Sequence, residues 1–503
     1  HEAYISLPGS AHVLADGRRL TAITHSMSQS SPTGGLTGRL VYVGEGMDAD
    51  FAGRDLVGCI VLAEGIATPA VALRASRAGA AGQLHISPHE HLHEMCISPV
   101  WGNPSAETAA SLPSTVAVTV SQADGTALRE ALARDEAPEV VLHAEVDTGW
   151  RPTPILVADM DADGRPEAPF IMFSGHHDTW YEGVMDNGTA NITMVEVARL
   201  CATRRAEWRR GLRLCFWSGH SHGRYSGSAW YADTHWDELE RRCAVHVNID
   251  SVGAAGASVL GNADTATELA GLASAAITAQ TSQIHRGKRM SRAGDESFWG
   301  IGIPAMFMSL SEQPPSDVKM RHALGWWWHT PHDLLDKIDP DNLVRDARIY
   351  LDTVNRLLTN PVLPLDYAAS AEALLAELRG LDGTGAHGIP LDDLLAEVEA
   401  LRAAALHVRD AAPEAADPAL MRASRALVPL DYTSGDRFVH DPALPQPVWP
   451  VLEPLRRLAA AAPGTHAARL LAVSARRARN RVAHAVREAR AALEAVTPST
   501  GRS

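Results

Sequence analysis

The sequence predicts an α/β protein whose main domain is a three-layer sandwich around a mixed, largely parallel sheet. Short apolar runs of strand type recur through the middle of the chain, and amphipathic segments with helical spacing separate them. Polar residues that can bind a metal follow several of these runs directly, which is where open α/β sheets place their sites. A smaller inserted α/β domain and a C-terminal helical domain complete the predicted architecture.

Strands and helices in the main domain follow from these patterns. Strands are predicted at 154–158, 170–173, 212–217, 244–249 and 305–308, and helices at about 187–203, 226–241, 264–280 and 339–359. The predicted domain bounds are 1–36 with 143–365 for the main domain, 37–142 for the inserted domain and 366–503 for the helical domain. Residues 1–36 are expected to lie over the main domain as an entry segment. The helical domain is rich in Ala, Leu, Arg and Glu with helical spacing.

Composition and charge limit the partners. A formal net charge of −15 argues against nucleic acid, because phosphate backbones attract a basic surface. No apolar run reaches the roughly 20 residues that cross a membrane, and no signal peptide is visible. We therefore expect no nucleic-acid or membrane partner. The expected location is cytoplasmic, or secreted if a leader was removed.

The residues after strand 170–173 predict a divalent-metal site. His176 and Asp178 are two residues apart at the end of a strand and face the same way, so Asp178 can hydrogen-bond to a metal ligand and orient it. Asp186 precedes a helix and is the natural candidate to bridge two cations. Asp250 ends an apolar strand, where an unpaired carboxylate is costly. His329 follows three consecutive tryptophans and adds a second imidazole.

A His-rich loop, residues 85–94, lies within the inserted domain. His89, His91 and His93 alternate, so in an extended backbone they would share one face. A loop that lines the substrate or the domain interface fits this composition better than a second metal site. His93 is the residue of this loop that we expect to contact substrate.

The order of these motifs resembles the di-zinc aminopeptidases related to glutamate carboxypeptidase II, the transferrin receptor and glutaminyl cyclase. The shared pattern runs through His176-x-Asp178, Met185-Asp-Asn-Gly188, Asn248-Ile-Asp250, Gly294-Asp295 and His329-Thr-Pro-x-Asp333. The inserted domain is similar to the protease-associated domain of that family, and the C-terminal part to its dimerisation bundle. The resemblance implies a homodimeric metal-dependent hydrolase that cleaves an amide or peptide bond of a small-molecule or peptide substrate through a metal-activated water.

The resemblance also implies a ligand set. His176 and Asp250 would hold one metal and His329 the other, with Asp186 as the bridge. The family's Gly-x-Glu-Glu segment supplies a general base and one more ligand, and here His220, Ser221 and His222 replace it.

For this replaced segment we expect His222 to act as the fifth ligand and His220 as the base, with Ser221 beside them in the catalytic segment. Whether His220 or His222 is the ligand is left open. Asp178 is expected to support the catalytic groups, and Asp295 and Trp328 to line the substrate pocket.

Metal identity and reaction type also stay open at this point. Zinc is expected, as one or two ions, with iron or manganese as alternatives that suit imidazole and carboxylate ligands. Because the glutamate pair is missing, two other functions are considered, a non-hydrolytic lyase or cyclase at the same centre and an inactive binding relative. The inactive relative is disfavoured, because four of the five expected ligand positions are retained.

Overall fold

The computed structural model describes residues 1–162, 164–316, 324–408 and 412–496 and contains two β-sheets and a C-terminal group of helices. The strands are β1 Glu2–Ala15, β2 Arg18–Thr24, β3 Leu36–Thr37, β4 Leu40–Tyr42, β5 Ile60–Glu64, β6 Gly82–Ile86, β7 Val116–Val120, β8 Val140–Pro152, β9 Leu156–Met160, β10 Phe170–His176, β11 Gly211–Trp217, β12 Cys243–Asn248 and β13 Ala305–Met306. The helices are α1 Asp48–Phe51, α2 Pro69–Arg77, α3 Gln122–Ala133, α4 Ala190–Ala202, α5 Ser226–Thr234, α6 Trp236–Arg242, α7 Ala270–Gln280, α8 Pro340–Thr359, α9 Tyr367–Arg379, α10 Asp392–His407, α11 Pro413–Tyr432, α12 Glu453–Ala459 and α13 His466–Glu494.

The first sheet has eight strands in the order β3-β8-β1-β2-β7-β6-β5-β4 and forms an N-terminal domain with α1 to α3. Strands β4 to β7 pair in parallel, and the remaining pairs are antiparallel. Helices α2 and α3 cover opposite faces of the parallel half. Val71 of α2 packs in one cluster with Val61 of β5, whereas Leu128 of α3 packs in another with Leu62. This alternation follows from the two-residue period of a strand.

The first 24 residues belong to this N-terminal sheet, which differs from the predicted boundary that gave residues 1–36 to the main domain. Strand β1 pairs antiparallel with β8 from Glu2 to Ala15, and β2 pairs with β7. The register shifts between Pro8 and Ala11. This Pro-Gly-Ser interruption breaks the alternation of apolar and polar residues, so the hydrophobic pattern of the sequence does not predict the strand. Buried Val13 and Leu20 nevertheless contribute to the core of the sheet.

The second sheet has five strands in the order β13-β12-β10-β11-β9. Only β9 runs antiparallel to its neighbour, so the sheet is largely parallel. Ile171 and Phe173 of β10 pack in one core cluster with residues of α4 and α8, whereas Phe170 and Met172 pack in another with residues of α5 and α6. Helices therefore cover both faces, and the predicted three-layer sandwich is confirmed.

Five helices, α9 to α13, form the C-terminal part, with α13 in contact with α10, α11 and α12. Their apolar faces join the core of the second sheet in one continuous cluster. Arg425 of α11 connects the C-terminal helices to the domain of the second sheet. It is buried and donates hydrogen bonds to the carbonyl oxygens of Leu239, Glu240, Cys243 and Gly302. No helix among the described residues has the length and apolar character needed to span a membrane.

Replacing Arg425 with alanine should destabilise the protein by about 3 kcal/mol, because four buried carbonyl groups lose a charged donor. Thermal unfolding followed by circular dichroism measures the effect as a lower midpoint. Arg422, an exposed arginine on the same helix, is the matched control, and its alanine variant should unfold within experimental error of the wild type. Equal midpoints for the two variants would contradict the role given to Arg425.

Candidate metal centre

The candidate site lies at the carboxyl ends of three neighbouring parallel strands. Strand β10 ends at His176, between β11 and β12 in the sheet. The loop after β11 carries His220, and Asp250 lies two residues after the end of β12. Because the ends of parallel strands meet at one edge, side chains distant in sequence come together there. Asp186 reaches the same edge from the turn Val184–Thr189, which precedes α4.

His176, Asp186 and Asp250 form the centre of the site. His176 Nε2 lies 3.1 Å from Asp186 Oδ1 and 3.5 Å from Asp250 Oδ2. The side chains of His176 and Asp186 are only 2% and 6% exposed. Burial by itself lowers the pKa of His176, but the two carboxylates raise it well above its usual range. The site therefore attracts positive charge.

His220 joins this centre. Its imidazole stacks on that of His176, with ring centroids 3.7 Å apart. His220, His176 and Asp250 offer ligand atoms that all lie within 4.8 Å of one another. Nδ1 of His220 donates a hydrogen bond of 2.8 Å to Asp295 Oδ2, which leaves Nε2 as the free ring nitrogen. A histidine held by a carboxylate in this way is the usual arrangement of a metal ligand.

His329 approaches Asp186 from the other side, with Nε2 3.0 Å from Asp186 Oδ2. Its position depends on the His-rich loop of the N-terminal domain. His329 Nδ1 donates to the carbonyl oxygen of Glu94 at 2.6 Å, and the Glu94 N–H donates back to the carbonyl of His329. His93 donates from Nδ1 to the carbonyl of Trp328 at 2.5 Å. The two domains therefore build this part of the site together.

Two carboxylates, the half-buried Asp178 and the buried Asp333, fix the loops around the site. Asp178 accepts hydrogen bonds from the backbone N–H groups of His220 and Ser221. Asp333 accepts from the N–H groups of Met185 and Asp186. Burial raises the pKa of Asp178, but hydrogen bonding to His222 and the charges of the neighbouring imidazoles bring it well below its usual range. Each carboxylate therefore fixes the backbone of one loop.

The donor atoms fit a divalent cation. His176 donates from Nδ1 to the carbonyl of Asp178, which leaves Nε2 to face Asp186 Oδ1 at 3.1 Å. Neither of these two buried atoms has another partner among the described residues. They repel unless positive charge lies between them, as a proton on Nε2 when the site is empty or as a bound cation. Two imidazoles with two carboxylates are also a donor set that zinc accepts.

Several predicted site residues lie beside the cluster. His222 packs its ring on Trp180, and its Nδ1 is 3.7 Å from Asp178 Oδ2. The structure thus brings His220 to the ligand group, and His222 lies outside it. Ser221 borders the cavity, and its buried Oγ has no hydrogen-bond partner among the described residues.

The three predicted substrate contacts occupy different places. Trp328 lines the cavity beside the cluster and stacks on His329, with ring centroids 3.5 Å apart. Asp295 is buried behind His220 and also accepts a hydrogen bond from Ser228. His93 is buried behind Trp328, and burial lowers its pKa to about 3. Asp295 and His93 therefore support other site residues in this structure.

Sequence reasoning missed two cationic residues of the cavity, Arg224 and Arg292. Neither has a carboxylate oxygen within 4.0 Å among the described residues. Arg224 lies over the ring of Tyr225, and its buried Nε has no hydrogen-bond partner in the described part of the chain. Arg292 lies over Trp101 and donates to the backbone carbonyls of residues 441 and 442. No sequence motif marks these arginines, because only the fold brings them together.

The part of the chain that carries the site matches a known protein family. Residues 156–354 match the model of peptidase family M28, and this segment contains all the candidate ligands. The α/β domain that carries the site is therefore similar to peptidase family M28. The predicted family resemblance is thereby confirmed for this part of the chain, which we call the M28 domain.

Individual relatives are distant. A probable glutamate carboxypeptidase from Zea mays is 23% identical over 263 residues, which cover 48% of this chain and 35% of that protein. The chain thus spans about a third of the length of that curated relative.

Three solved structures share the fold over 71% to 72% of this chain, which is more than the M28 domain alone. A peptidase M28 precursor from Shewanella amazonensis superposes with a TM-score of 0.56 at 18% identity, over 72% of this chain and 84% of that chain. A zinc aminopeptidase from Bacillus subtilis gives 0.52 at 19% identity, over 72% and 85%. An aminopeptidase from Aneurinibacillus gives 0.51 at 22% identity, over 71% and 84%.

Changing Asp295 to asparagine should weaken metal binding about 10- to 100-fold, because His220 loses the carboxylate that fixes its ring. Titration of the purified protein with zinc against a chromophoric chelator measures the affinity. Asp161 is exposed and belongs neither to the ligand group nor to the cavity lining, so Asp161→Asn serves as the control. An unchanged affinity in Asp295→Asn would argue against His220 as a ligand.

Proposed function

We propose that the protein is a metal-dependent hydrolase that cleaves a peptide or other amide bond of a small substrate, with zinc as its cation. The observation that carries the proposal is the convergence of imidazoles on two carboxylates within an M28 domain. His176, His220 and His329 each donate from Nδ1 to an oxygen, and so each directs Nε2 toward the cluster. The relatives named as zinc aminopeptidase and glutamate carboxypeptidase support the choice of metal and reaction.

In this proposal the cation would activate the substrate and water, and the side chains position the cation. A bound divalent cation supplies Lewis acidity, which polarises a carbonyl oxygen and lowers the pKa of water. The chain holds the donors still, through Asp295 behind His220 and Asp333 behind Asp186. The rings of Trp180 and Trp328 line the same cavity and limit the access of bulk water to it.

We assign His220 to the cation and no longer to the role of base. Its Nδ1 is occupied by Asp295, so Nε2 is its single free nitrogen, and the residue belongs to the ligand group. His222 is assigned to the support of Asp178, which its Nδ1 approaches at 3.7 Å. In this proposal His220 takes the ligand role and His222 does not.

We further propose that the substrate carries a carboxylate close to the bond that is cleaved. Arg224 and Arg292 line the same cavity as the cluster, without a carboxylate partner among the described residues. Burial lowers the pKa of Arg292 to about 10, and the charge of Arg224 contributes in the same direction. Two neighbouring guanidinium groups repel each other, and a bound carboxylate relieves that repulsion through charge-assisted hydrogen bonds. The name of the Zea mays relative agrees with an acidic substrate.

The lyase or cyclase and the inactive relative are not favoured. The matching family is a peptidase family, and the donors expected of a metal site are present and converge. A homodimer formed through the C-terminal helices and a cytoplasmic location stay predictions.

Zinc-loaded protein should hydrolyse a panel of dipeptides and N-acyl amino acids, and a chelator should abolish the activity until zinc is restored. Asp186→Asn should lower kcat/KM by about 1000-fold or more, because it removes a carboxylate from the cation. His177 is exposed and donates to a backbone carbonyl outside the cluster, so His177→Gln should keep wild-type activity. Reaction in ¹⁸O-labelled water should place the label in the product acid. Product without the label would contradict hydrolysis.

Arg224→Gln should raise KM about 10-fold or more for substrates with a free carboxylate, and change KM little for the matching amides. The comparison uses each acid and its amide at the same pH and ionic strength. Arg286 is exposed, and its glutamine variant should show the wild-type preference. If Arg224→Gln affects acid and amide equally, the arginine does not recognise a carboxylate.

A further inference from the structure

The donors of the site divide into two unequal groups. Around His176 lie Asp186 Oδ1 at 3.1 Å, Asp250 Oδ2 at 3.5 Å and the imidazole of His220. His176, His220 and Asp250 lie within reach of one another, and Asp186 joins them through its contact with His176. Together these residues offer two nitrogen and two oxygen atoms, the number of ligands that a tetrahedral zinc site uses. Around His329 the only donor at comparable distance among the described side chains is Asp186 Oδ2, at 3.0 Å. The two-cation arrangement that the family resemblance implies therefore has one complete position and one incomplete position.

No neighbouring carboxylate or imidazole completes the position at His329. Among the described residues, His176, His220 and Asp250 are the one group of three or more potential ligands within 4.8 Å of one another. Glu94 touches His329 through its backbone, while its carboxyl group accepts a hydrogen bond from Tyr181 at 3.1 Å. His222 faces Asp178.

Ser221 stands in the segment where the family supplies a glutamate pair. It lines the cavity with a buried hydroxyl group that has no hydrogen-bond partner among the described residues. A neutral hydroxyl is a weak zinc ligand compared with thiolate, imidazole or carboxylate. Ser221 therefore does not replace a glutamate as a ligand, and its position marks the loss of the second cation's charged donor.

The charge of the donor set leads to the same result. Asp186 and Asp250 are the carboxylates that face Nε2 of His176, and Asp186 also faces Nε2 of His329. A cation at His176 would thus have two charged ligands, whereas a cation at His329 would share only the carboxylate of Asp186.

We infer that this chain binds a single divalent cation, held by His176, His220, Asp186 and Asp250, and that His329 is not required to hold it. The inference rests on the proposed function, because it takes the same cluster to be a metal site. His329 then contacts Asp186 and lines the cavity, where it can meet the substrate. His220 supplies the ligand that makes one position complete, and the loss of the glutamate pair leaves the other position without a charged donor.

The test is the zinc content of purified, full-length protein and of three histidine variants. Each protein is dialysed against zinc sulfate, freed of excess metal by gel filtration and analysed by inductively coupled plasma mass spectrometry. Wild type should contain about one zinc ion per chain. His329→Gln and the control His222→Gln should keep about one, whereas His220→Gln should fall below about a fifth of the wild-type content. Circular dichroism shows that each variant is folded.

Affinity gives a second measurement that does not depend on activity. Competition with a chromophoric chelator should show zinc binding weakened about 100-fold in His220→Gln and less than about threefold in His329→Gln. Two zinc ions per wild-type chain would overturn the single-cation inference and leave the proposed hydrolase intact. One zinc ion that is lost in His329→Gln would overturn the assignment of ligands. Wild type without any zinc would overturn the proposed function as well.

Discussion

The site depends on one repeated interaction, an imidazole whose Nδ1–H is bound to an oxygen, which leaves Nε2 as the nitrogen that can bind a cation. The acceptors are the carbonyl of Asp178 for His176, the carboxylate of Asp295 for His220 and the carbonyl of Glu94 for His329. Each hydrogen bond fixes both the tautomer and the ring orientation. The buried atoms at its centre, His176 Nε2 and Asp186 Oδ1, have no partner among the described residues other than each other, and this arrangement favours a bound cation.

The fold provides these acceptors from two domains. The M28 domain supplies Asp178 and Asp295, whereas Glu94 comes from the N-terminal domain, 235 residues from His329 in the chain. Two hydrogen bonds join Glu94 and His329, one from the His329 ring to the Glu94 carbonyl and one from the Glu94 N–H to the His329 carbonyl. The N-terminal domain is thus a structural part of the site. Its His-rich loop acts through backbone carbonyls and through His93, which is buried behind Trp328.

Much of the M28 domain is predictable from the sequence, because its strands are continuous apolar runs buried on both faces. His176, Asp186 and Asp250 could be selected as candidates for the same reason, since each follows such a strand or precedes a helix. The predicted strands 170–173 and 212–217 lie within β10 and β11. Strand β1 was overlooked because Pro8 and the following glycine and serine interrupt its alternation at a register shift.

The parts that could not be predicted depend on loop conformation. Residues 220 and 222 have the same side chain, and only the backbone of the loop decides which of them faces the cluster. Asp178 fixes that backbone by accepting two N–H groups, a contact with no signature in the sequence. Arg224 and Arg292 are 68 positions apart in the chain, and their common cavity arises from tertiary packing. Spacing in the sequence carries no information about such contacts.

The account is tested most directly by a crystal structure of the zinc-loaded protein with anomalous diffraction recorded at the zinc absorption edge. We predict an anomalous peak at the carboxyl end of β10, with Nε2 of His176 and of His220 roughly 2.0–2.1 Å from the metal. A peak bound through His222 in place of His220, or no peak between His176 and Asp250, would contradict the central claim.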